Sequence, residues 1–422
     1  MGDESGCELL EAVPDTTSAD TPLAKLRVRF DAPARAQALV SDDLPRGVRW
    51  KRASLEELPR VGPIIHDDVL YMAIDRRVWA LNPETGEAYW SFEVDGEIIP
   101  TTHTEATSVV DGERMSTARA ALVRHGVLLV RSTGERPDGS HHVLYALDID
   151  SGEPRWVERV YGSLHSPLLR NDEIFIPAGL DVDPSGARRL GPLQILVLAI
   201  EDGSRKRTYD LETPIAMSDN MLFGRKDTED HDQSDLLAAR AIDTGDLAWT
   251  RPFPKGATYI ETLDVVEGHV YFSAKNSPTL DKLDASTGDE IWSHEFGDRK
   301  WLEYTAFDDE RMYIVDLASE SVLALSQESG DTEWSWTLPD KANVRATPEV
   351  VGDRVRIVHH GIGRDGAPIP TWIVELDKES GDVVTKHRIS ATVASAPLIW
   401  NDTVFYHDDD GGFVARELPD SE

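Results

Sequence analysis

The sequence repeats one short phrase seven times, and this repetition constrains the fold more than any other feature. Each copy has an apolar strand-like run, an acidic or polar pair, a turn containing Gly and, in most copies, a Trp four positions after that Gly. A recurring period of this kind indicates an architecture built from repeated units. The copies occupy Val78–Trp90, Leu144–Trp156, Ile195–Arg207, Leu237–Trp249, Leu280–Trp292, Val322–Trp334 and Ile373–Thr385.

The residue types of the phrase predict a strand, a tight turn and a second strand. Alternating apolar residues before the turn indicate a half-buried strand. Gly supplies the positive φ that a hairpin turn requires, and the Trp opens the next strand, where its ring can pack against a neighbouring sheet. The turn glycines are Gly86, Gly152, Gly203, Gly245, Gly288, Gly330 and Gly381, and the tryptophans are Trp50, Trp90, Trp156, Trp249, Trp292 and Trp334.

Two more strand-like runs precede each phrase, as in Asp264–Ala274 and Tyr304–Asp316. The unit is therefore four antiparallel strands, and from Gly203 to Gly330 the turn glycines lie 42 or 43 residues apart, the size of a WD40-like propeller blade. We predict an all-β, eight-bladed β-propeller.

The two ends of the chain supply the last blade. Phe405–Leu418 begins an eighth unit but stops before a Trp-bearing strand, whereas Gly47–Trp50 has that strand without the rest of the unit. The N-terminal strand is thus predicted to join the C-terminal blade, which removes exposed sheet edges.

Two regions follow from this division, an N-terminal segment of residues 1–44 and the propeller of residues 45–422. Gly2–Pro22 is polar and acidic, which predicts a disordered tether, and Leu26–Phe30 and Ala32–Val40 predict a short packed segment.

The single cysteine, Cys7, excludes an internal disulfide. Ser5-Gly6-Cys7 resembles the end of a lipoprotein cleavage box, although Glu4 stands where that box has an apolar residue. The hypothesis of a lipid anchor, lost or encoded upstream, therefore stays open. No apolar run is long enough for a transmembrane helix, and Met1–Asp20 lacks a signal-peptide core.

The charge narrows the possible partners. The chain carries 77 acidic against 43 basic residues, a formal charge of −34, and only 11 of the basic residues are lysines. Nucleic acids and anionic membrane surfaces are therefore unfavourable partners. The acidic, lysine-poor composition resembles that of proteins from extreme halophiles such as haloarchaea, in which an acidic surface keeps the protein soluble. The alternative is an ordinary acidic protein from a mesophile.

The repeat L-x-A-L-[DN]-x-x-[ST]-G-[DE]-x-x-W resembles that of the pyrroloquinoline-quinone-type (PQQ-like) propellers over about Pro45–Asp420. That family includes quinoprotein alcohol dehydrogenases and the outer-membrane assembly lipoprotein BamB. Its enzymes hold the quinone with calcium through Glu and Asn ligands, use an Asp base and often carry a vicinal disulfide. No such set maps onto this sequence, so the resemblance implies a BamB-like, non-catalytic scaffold without a cofactor.

The longest additions to the repeat occur where the second strand of a unit turns into the third. Such turns leave a blade at the same end as the links between blades, so we expect one decorated face that binds a protein partner. Its candidate residues are His103, His141, His142, His231, His359 and His360. The additions are Arg131–His142, Pro177–Pro192, Arg225–Asp235 and His359–Thr371, with the inter-blade link Ser91–Ala118 on the same side.

One addition contains an incomplete calcium loop. Asp181, Asp183 and Ser185 fit the first half of the D-x-D-x-S-G pattern, but Pro192 stands where the bidentate Glu is required. We expect a scaffold in a membrane-associated assembly outside the cytoplasm, at the cell surface, with a cytoplasmic location as the alternative. Two other functions stay open: a quinone- and calcium-dependent dehydrogenase, and a propeller that binds a sugar or other small ligand in its central channel.

Overall fold

The computed structural model describes residues 44, 47–52, 63–74, 76–95, 98, 107–110, 113–116, 121–133, 141–161, 167–179, 193–226, 235–254, 257, 259–297, 302–339, 342–344, 347–361, 371–389, 397–408 and 412–418. Apart from Leu44, the predicted N-terminal segment of residues 1–44 lies outside these residues. So do His103, His231 and the calcium-loop residues Asp181, Asp183 and Ser185.

The described residues form strands and turns, with no helix, and the strands fall into eight blades. β1 (Val48–Arg52) comes first in the chain and belongs to blade 8. Blade 1 contains β2 (Ile64–His66), β3 (Val69–Ile74), β4 (Arg77–Leu81) and β5 (Ala88–Glu93). Two short strands follow, β6 (Thr107–Val110) and β7 (Glu113–Ser116). Blade 2 contains β8 (Ala121–Arg124), β9 (Val127–Thr133), β10 (His141–Asp148) and β11 (Pro154–Tyr161). Blade 3 contains β12 (Leu168–Arg170), β13 (Glu173–Gly179), β14 (Leu193–Ala199) and β15 (Arg205–Tyr209).

The remaining blades repeat this order. Blade 4 contains β16 (Glu212–Met217), β17 (Met221–Lys226), β18 (Leu236–Ala241) and β19 (Leu247–Pro252). Blade 5 contains β20 (Ile260–Val266), β21 (His269–Ala274), β22 (Thr279–Asp284) and β23 (Glu290–Glu295). Blade 6 contains β24 (Leu302–Phe307), β25 (Arg311–Asp316), β26 (Ser321–Ser326) and β27 (Thr332–Thr337). Blade 7 contains β28 (Ala342–Val344), β29 (Glu349–Val351), β30 (Arg354–Gly361), β31 (Thr371–Asp377) and β32 (Val383–Ile389), with β28 and β29 sharing the first strand position. Blade 8 contains β33 (Leu398–Trp400), β34 (Thr403–His407), β35 (Phe413–Glu417) and β1.

The prediction of an eight-bladed propeller closed by both chain ends is confirmed. In blade 8 the strand order is β1-β35-β34-β33, and Trp50 pairs with Ala415 in the antiparallel ladder. Asp408 connects this ladder to the β34–β35 turn, because its side chain accepts the amide of Gly412 at 2.8 Å and pairs with Lys51 at 2.6 Å. The closing blade is therefore an ordinary blade assembled from distant segments.

Burial identifies the inner and outer strands of each blade. Second strands such as β21, β25 and β34 are buried along nearly their whole length, whereas last strands such as β19, β23 and β27 expose alternate residues or more. The last strands therefore form the periphery of the ring, and the first strands, at the opposite edge of each sheet, line its axis. The core is the series of apolar layers between neighbouring blades.

Each repeated Trp joins its own blade to the next one. The indole N–H donates to a backbone carbonyl of the following blade over 2.8–3.0 Å, and the indole ring covers the turn glycine there. A Cβ on any of these glycines would lie 2.5–2.7 Å from the ring, so the turn requires Gly for space as well as for φ. The pairs are Trp50–Gly86, Trp90–Gly152, Trp156–Gly203, Trp249–Gly288, Trp292–Gly330 and Trp334–Gly381.

Two copies of the phrase lack the Trp, and the structure gives a reason for each. In blade 3 the position holds Arg207, and Tyr209, two residues later, donates its phenol to the carbonyl of Ile242 in blade 4. In blade 7 the position holds Thr385, and in blade 8 the corresponding turn is absent because its third and fourth strands come from opposite chain ends. An indole at 385 would have no turn glycine to cover.

Many acidic residues of the turns accept backbone hydrogen bonds. The Asp148 carboxylate accepts hydrogen bonds from the guanidinium of Arg155 and from the amide of Ser151, and these bonds lower the pKa of Asp148 to about 2. Asp377 accepts the amides of Ser380 and Glu379, which likewise lowers its pKa. Part of the negative charge of the chain therefore lies in turn-capping carboxylates.

Candidate functional site

The two ends of the blades differ in the length of their connections. Because neighbouring strands are antiparallel, the second-to-third-strand turns and the inter-blade links begin and end at one side, which we call the loop-bearing face. The repeated glycine turns lie at the other side, which we call the turn face. Long connections on the loop-bearing face join β9 to β10, β13 to β14, β17 to β18 and β30 to β31. Three of these four belong to the consecutive blades 2, 3 and 4.

The strands extend further into these segments than the sequence predicted. Arg131 lies in β9, His141 and His142 begin β10, and His359 and His360 lie near the end of β30. Arg131 is only 1% exposed, and burial lowers the pKa of its guanidinium to about 10, so it remains charged at neutral pH. His359 is also buried, with its ring 6.1 Å from that of Trp336.

The four candidate histidines that the structure describes belong to two blades. His141 and His142 belong to blade 2, whereas His359 and His360 belong to blade 7. Among the side chains that the structure describes, no group of three or more His, Cys, Asp or Glu residues could hold a metal ion. The described histidines therefore sit at separate points of the ring, and His103, His231 and the calcium-loop residues fall outside the described part.

The link from blade 1 to blade 2, residues 94–120, is longer than the other links between described blades. Near its start lies Asp95, whose amide donates to the Tyr145 hydroxyl at 3.0 Å and whose carbonyl accepts the Ser132 hydroxyl at 2.7 Å. Ile98 then forms an isolated antiparallel bridge with Ser132. The start of the link is thereby fixed to the second and third strands of blade 2.

The same link reaches the opposite side of the ring. Its strands β6 and β7 form an antiparallel hairpin, and Ser108 of β6 pairs in parallel with Val265 of β20. β6 also lies against β16, the innermost strand of blade 4. Because β20 is the innermost strand of blade 5, the edge that pairs with β6 faces the ring axis, so the hairpin lies in the central channel.

The sequence carried a signal for the hairpin but not for its position. Asp111-Gly112 separates Thr107–Val110 from Glu113–Ser116, and Asp-Gly between two short strand-like runs is a strong hairpin signal. The pairing with blade 5 joins residues far apart in sequence, which local patterns do not specify.

Blade 5 also exposes an aromatic–cation pair on the loop-bearing face. Tyr259, which precedes β20, is 41% exposed, and the ammonium of Lys275 lies 5.0 Å from the centroid of its ring. The amide of Lys275 donates to the carbonyl of Tyr259 at 2.9 Å, which fixes the two residues side by side. Tyr is one of the residue types that protein interfaces favour.

The described residues include no helix of the length and hydrophobicity needed to cross a membrane.

Comparison with known proteins adds a family to this architecture. A family model described as "Outer membrane protein assembly factor BamB" matches residues 115–277 and 234–364. The chain is 26% identical over 360 residues to the outer membrane protein assembly factor BamB of Yersinia pestis, covering 78% of this chain and 77% of that protein. It is 25% identical over 345 residues to BamB of Alteromonas naphthalenivorans, covering 78% and 73%.

Two solved structures show the same fold at lower identity. The crystal structure of BamB from Moraxella catarrhalis aligns with a TM-score of 0.53 at 17% identity, covering 85% of this chain and 94% of that one. The quinohemoprotein alcohol dehydrogenase of Comamonas testosteroni also aligns with a TM-score of 0.53, at 12% identity, covering 89% and 73%. Since the matched residues together span 115–364, more than half of the chain, the protein belongs to the PQQ-like propeller family described as outer membrane protein assembly factor BamB.

Proposed function

We propose that this protein is a non-catalytic scaffold that binds a protein partner through its loop-bearing face, as part of a membrane-associated assembly outside the cytoplasm. The observation that carries the proposal is the one-sided placement of the long connections. Those of blades 2, 3 and 4 are consecutive in the ring, and the link that crosses the channel begins and ends on the same side.

A rigid ring with loops on one side suits partner binding for a physical reason. The Trp–Gly contacts and the closing blade fix the blades relative to one another, so the loops are attached to a scaffold that stays in place. Loops on such a scaffold can vary in sequence without disturbing the core, and binding residues are frequently found there. The exposed pair Tyr259–Lys275 gives this face an aromatic contact point.

The family gives the proposed setting. The matched relatives are named outer membrane protein assembly factors, which supports an assembly role and an extracytoplasmic location at a membrane. The likeness to a quinohemoprotein alcohol dehydrogenase is one of fold, and a shared propeller fold hosts enzymes and scaffolds alike. A dehydrogenase would retain pyrroloquinoline quinone with calcium after desalting and would reduce a dye with alcohols, and we expect neither result.

Matched substitutions on the two faces test the proposal. Tyr259→Ala and Lys275→Glu alter the loop-bearing face. Tyr89→Ala removes a tyrosine that is 54% exposed at the periphery, and Glu328→Lys changes the charge of an exposed turn-face residue. The tagged proteins are used to isolate a stoichiometric partner from native membranes, and the affinity of the purified partner for each variant is measured.

We expect Tyr259→Ala and Lys275→Glu to weaken partner binding by at least about tenfold, equivalent to ~1.4 kcal/mol or more, with both controls unchanged. Equal binding by all four variants, or loss confined to the control variants, would contradict the proposed use of the loop-bearing face.

A further inference from the structure

One innermost strand differs from the others at its channel-facing edge. Within the described residues, β20 is the only innermost strand whose free edge carries another strand, namely β6. In each of the other blades the innermost strand is the last strand of its sheet, and the edge that faces away from the second strand faces the channel. An outermost strand of a sheet can act as a template for the addition of a further strand.

The link is much longer than a connection between neighbouring blades requires. Residues 94–120 join blade 1 to blade 2, whereas residues 210–211 are enough to join blade 3 to blade 4. The additional length carries β6 across the ring to blade 5. A long excursion that ends in strand pairing is therefore a specific feature of this link.

The contact between β6 and β20 is short. One residue pair, Ser108 with Val265, joins the two strands in parallel, and β6 itself has four residues. The sequence of β6, Thr-Ser-Val-Val, is uncharged and rich in β-branched residues, which favour an extended backbone. A contact of this size can be replaced by a similar segment that makes more hydrogen bonds.

The side chains of β20 are used elsewhere, which leaves its backbone for recognition. Asp264 is fully buried and accepts the hydroxyl of Thr305 in blade 6 at 2.8 Å. Leu263 and Val265 pack in the apolar layer that blades 4 and 5 share. A segment on this edge would therefore be held chiefly by main-chain hydrogen bonds, as in β-strand addition.

We propose that the channel-facing edge of β20 is a binding site for an extended segment of a partner protein, and that β6 occupies it until the partner binds. The fitting segment is uncharged, β-branched and parallel to β20, as β6 is. This inference rests on the proposed function as a scaffold and names the kind of contact that the partner makes.

A peptide in trans tests the site directly. In a variant, residues 99–118 are replaced by a Gly–Ser linker as long as the link between blades 5 and 6, residues 296–301. The probe is a fluorescent synthetic peptide of residues 105–118, and the control peptide carries Val109→Pro, which removes one strand amide. Anisotropy is measured for the linker variant and for the intact protein.

We expect the linker variant to bind the peptide at least about tenfold more tightly than the intact protein does, because the hairpin of the intact protein competes for the site. We also expect the linker variant to bind this peptide at least about tenfold more tightly than the proline peptide. A linker variant that unfolds at the same temperature as the intact protein but does not bind the peptide would overturn the proposal. Equal binding of the two peptides would also overturn it.

A disulfide in the intact protein gives an independent result if the linker variant does not fold. Ser108→Cys with Val265→Cys, in a Cys7→Ser background, places cysteines at the paired positions. We expect the bond to form on oxidation and to abolish the residual peptide binding seen in the reduced protein. Failure of the bond to form, or binding that oxidation does not change, would refute the site. These assays contain no partner protein, so their failure is separate from failure of the Tyr259 and Lys275 variants.

Discussion

The contact between Trp292 and Gly330 makes the most precise energetic prediction. Gly330 has a φ of +77°, and a Cβ built on it would lie 2.7 Å from Cδ2 of Trp292. Gly330→Ala therefore imposes two separate costs. A left-handed backbone costs an alanine about 1–2 kcal/mol, and forcing a methyl group against the indole costs roughly 1–3 kcal/mol more. We expect a loss of about 2–5 kcal/mol in the free energy of unfolding.

Two other glycines separate these costs because they share the same φ of +77°. Gly245 occupies the equivalent turn in blade 4, where the nearest atom to a new Cβ is Cε1 of Tyr209 at 3.8 Å, an ordinary contact. Gly268 has nothing within 4 Å of its Cβ position. Gly245→Ala and Gly268→Ala should therefore cost only the backbone contribution, about 1–2 kcal/mol.

The assay is denaturant unfolding at fixed salt, followed by circular dichroism and by tryptophan fluorescence. The expected result is that Gly330→Ala destabilises by roughly 1–3 kcal/mol more than Gly245→Ala. Combining Gly330→Ala with Trp292→Leu should cost less than the sum of the single changes, because the clash is removed. Equal losses for Gly330→Ala and Gly245→Ala would refute the reasoning that the indole demands this glycine.

Three further predictions concern pH, the Tyr209 contact of blade 3 and salt. His407 is fully buried, and burial lowers its pKa from 6.5 to about 4. The free energy of unfolding should therefore fall by about 3 kcal/mol as the pH falls from 6.5 to 4, because the folded protein resists protonation of this side chain. In denaturant unfolding between pH 8 and pH 4, His407→Phe should lose less stability than the unchanged protein, and parallel curves for the two proteins would contradict this. Tyr209→Phe should cost about 1–2 kcal/mol in thermal or denaturant unfolding, because the Ile242 carbonyl loses its donor, and an unchanged midpoint would show that this bond is not a substitute for the Trp contact. The melting temperature should rise from millimolar to molar KCl as carboxylate repulsion is screened, and a constant value would argue against the halophilic interpretation of the −34 charge.

The sequence predicted most of the ring because each blade repeats the same local information. Strand, turn and Trp positions recur in register, and the incomplete units at the two ends specify closure through Trp50 and Ala415. The sequence did not show that the turn glycines are also needed for space, because the ring that fills this space is the indole of the preceding blade. The replacement of the Trp by Tyr209 was missed because the role moves two residues along the strand.

The loop-bearing face was less predictable than the ring. Strand order follows from the repeat, so the side on which the long connections lie could be inferred from the sequence. The position of the hairpin β6–β7 could not, because a single pairing with Val265 across the channel sets it. Histidines that looked alike in sequence also differ: His359 of blade 7 is buried against Trp336, whereas His142 of blade 2 is partly exposed.

Site-specific photo-crosslinking tests the central claim that the loop-bearing face binds a protein partner most directly. A photoreactive amino acid is placed at Tyr259 on that face and, in a second protein, at Glu328 on the turn face, and both are irradiated in native membranes. The account predicts a discrete crosslinked partner from position 259 and none from position 328. A partner captured from position 328 alone would contradict it.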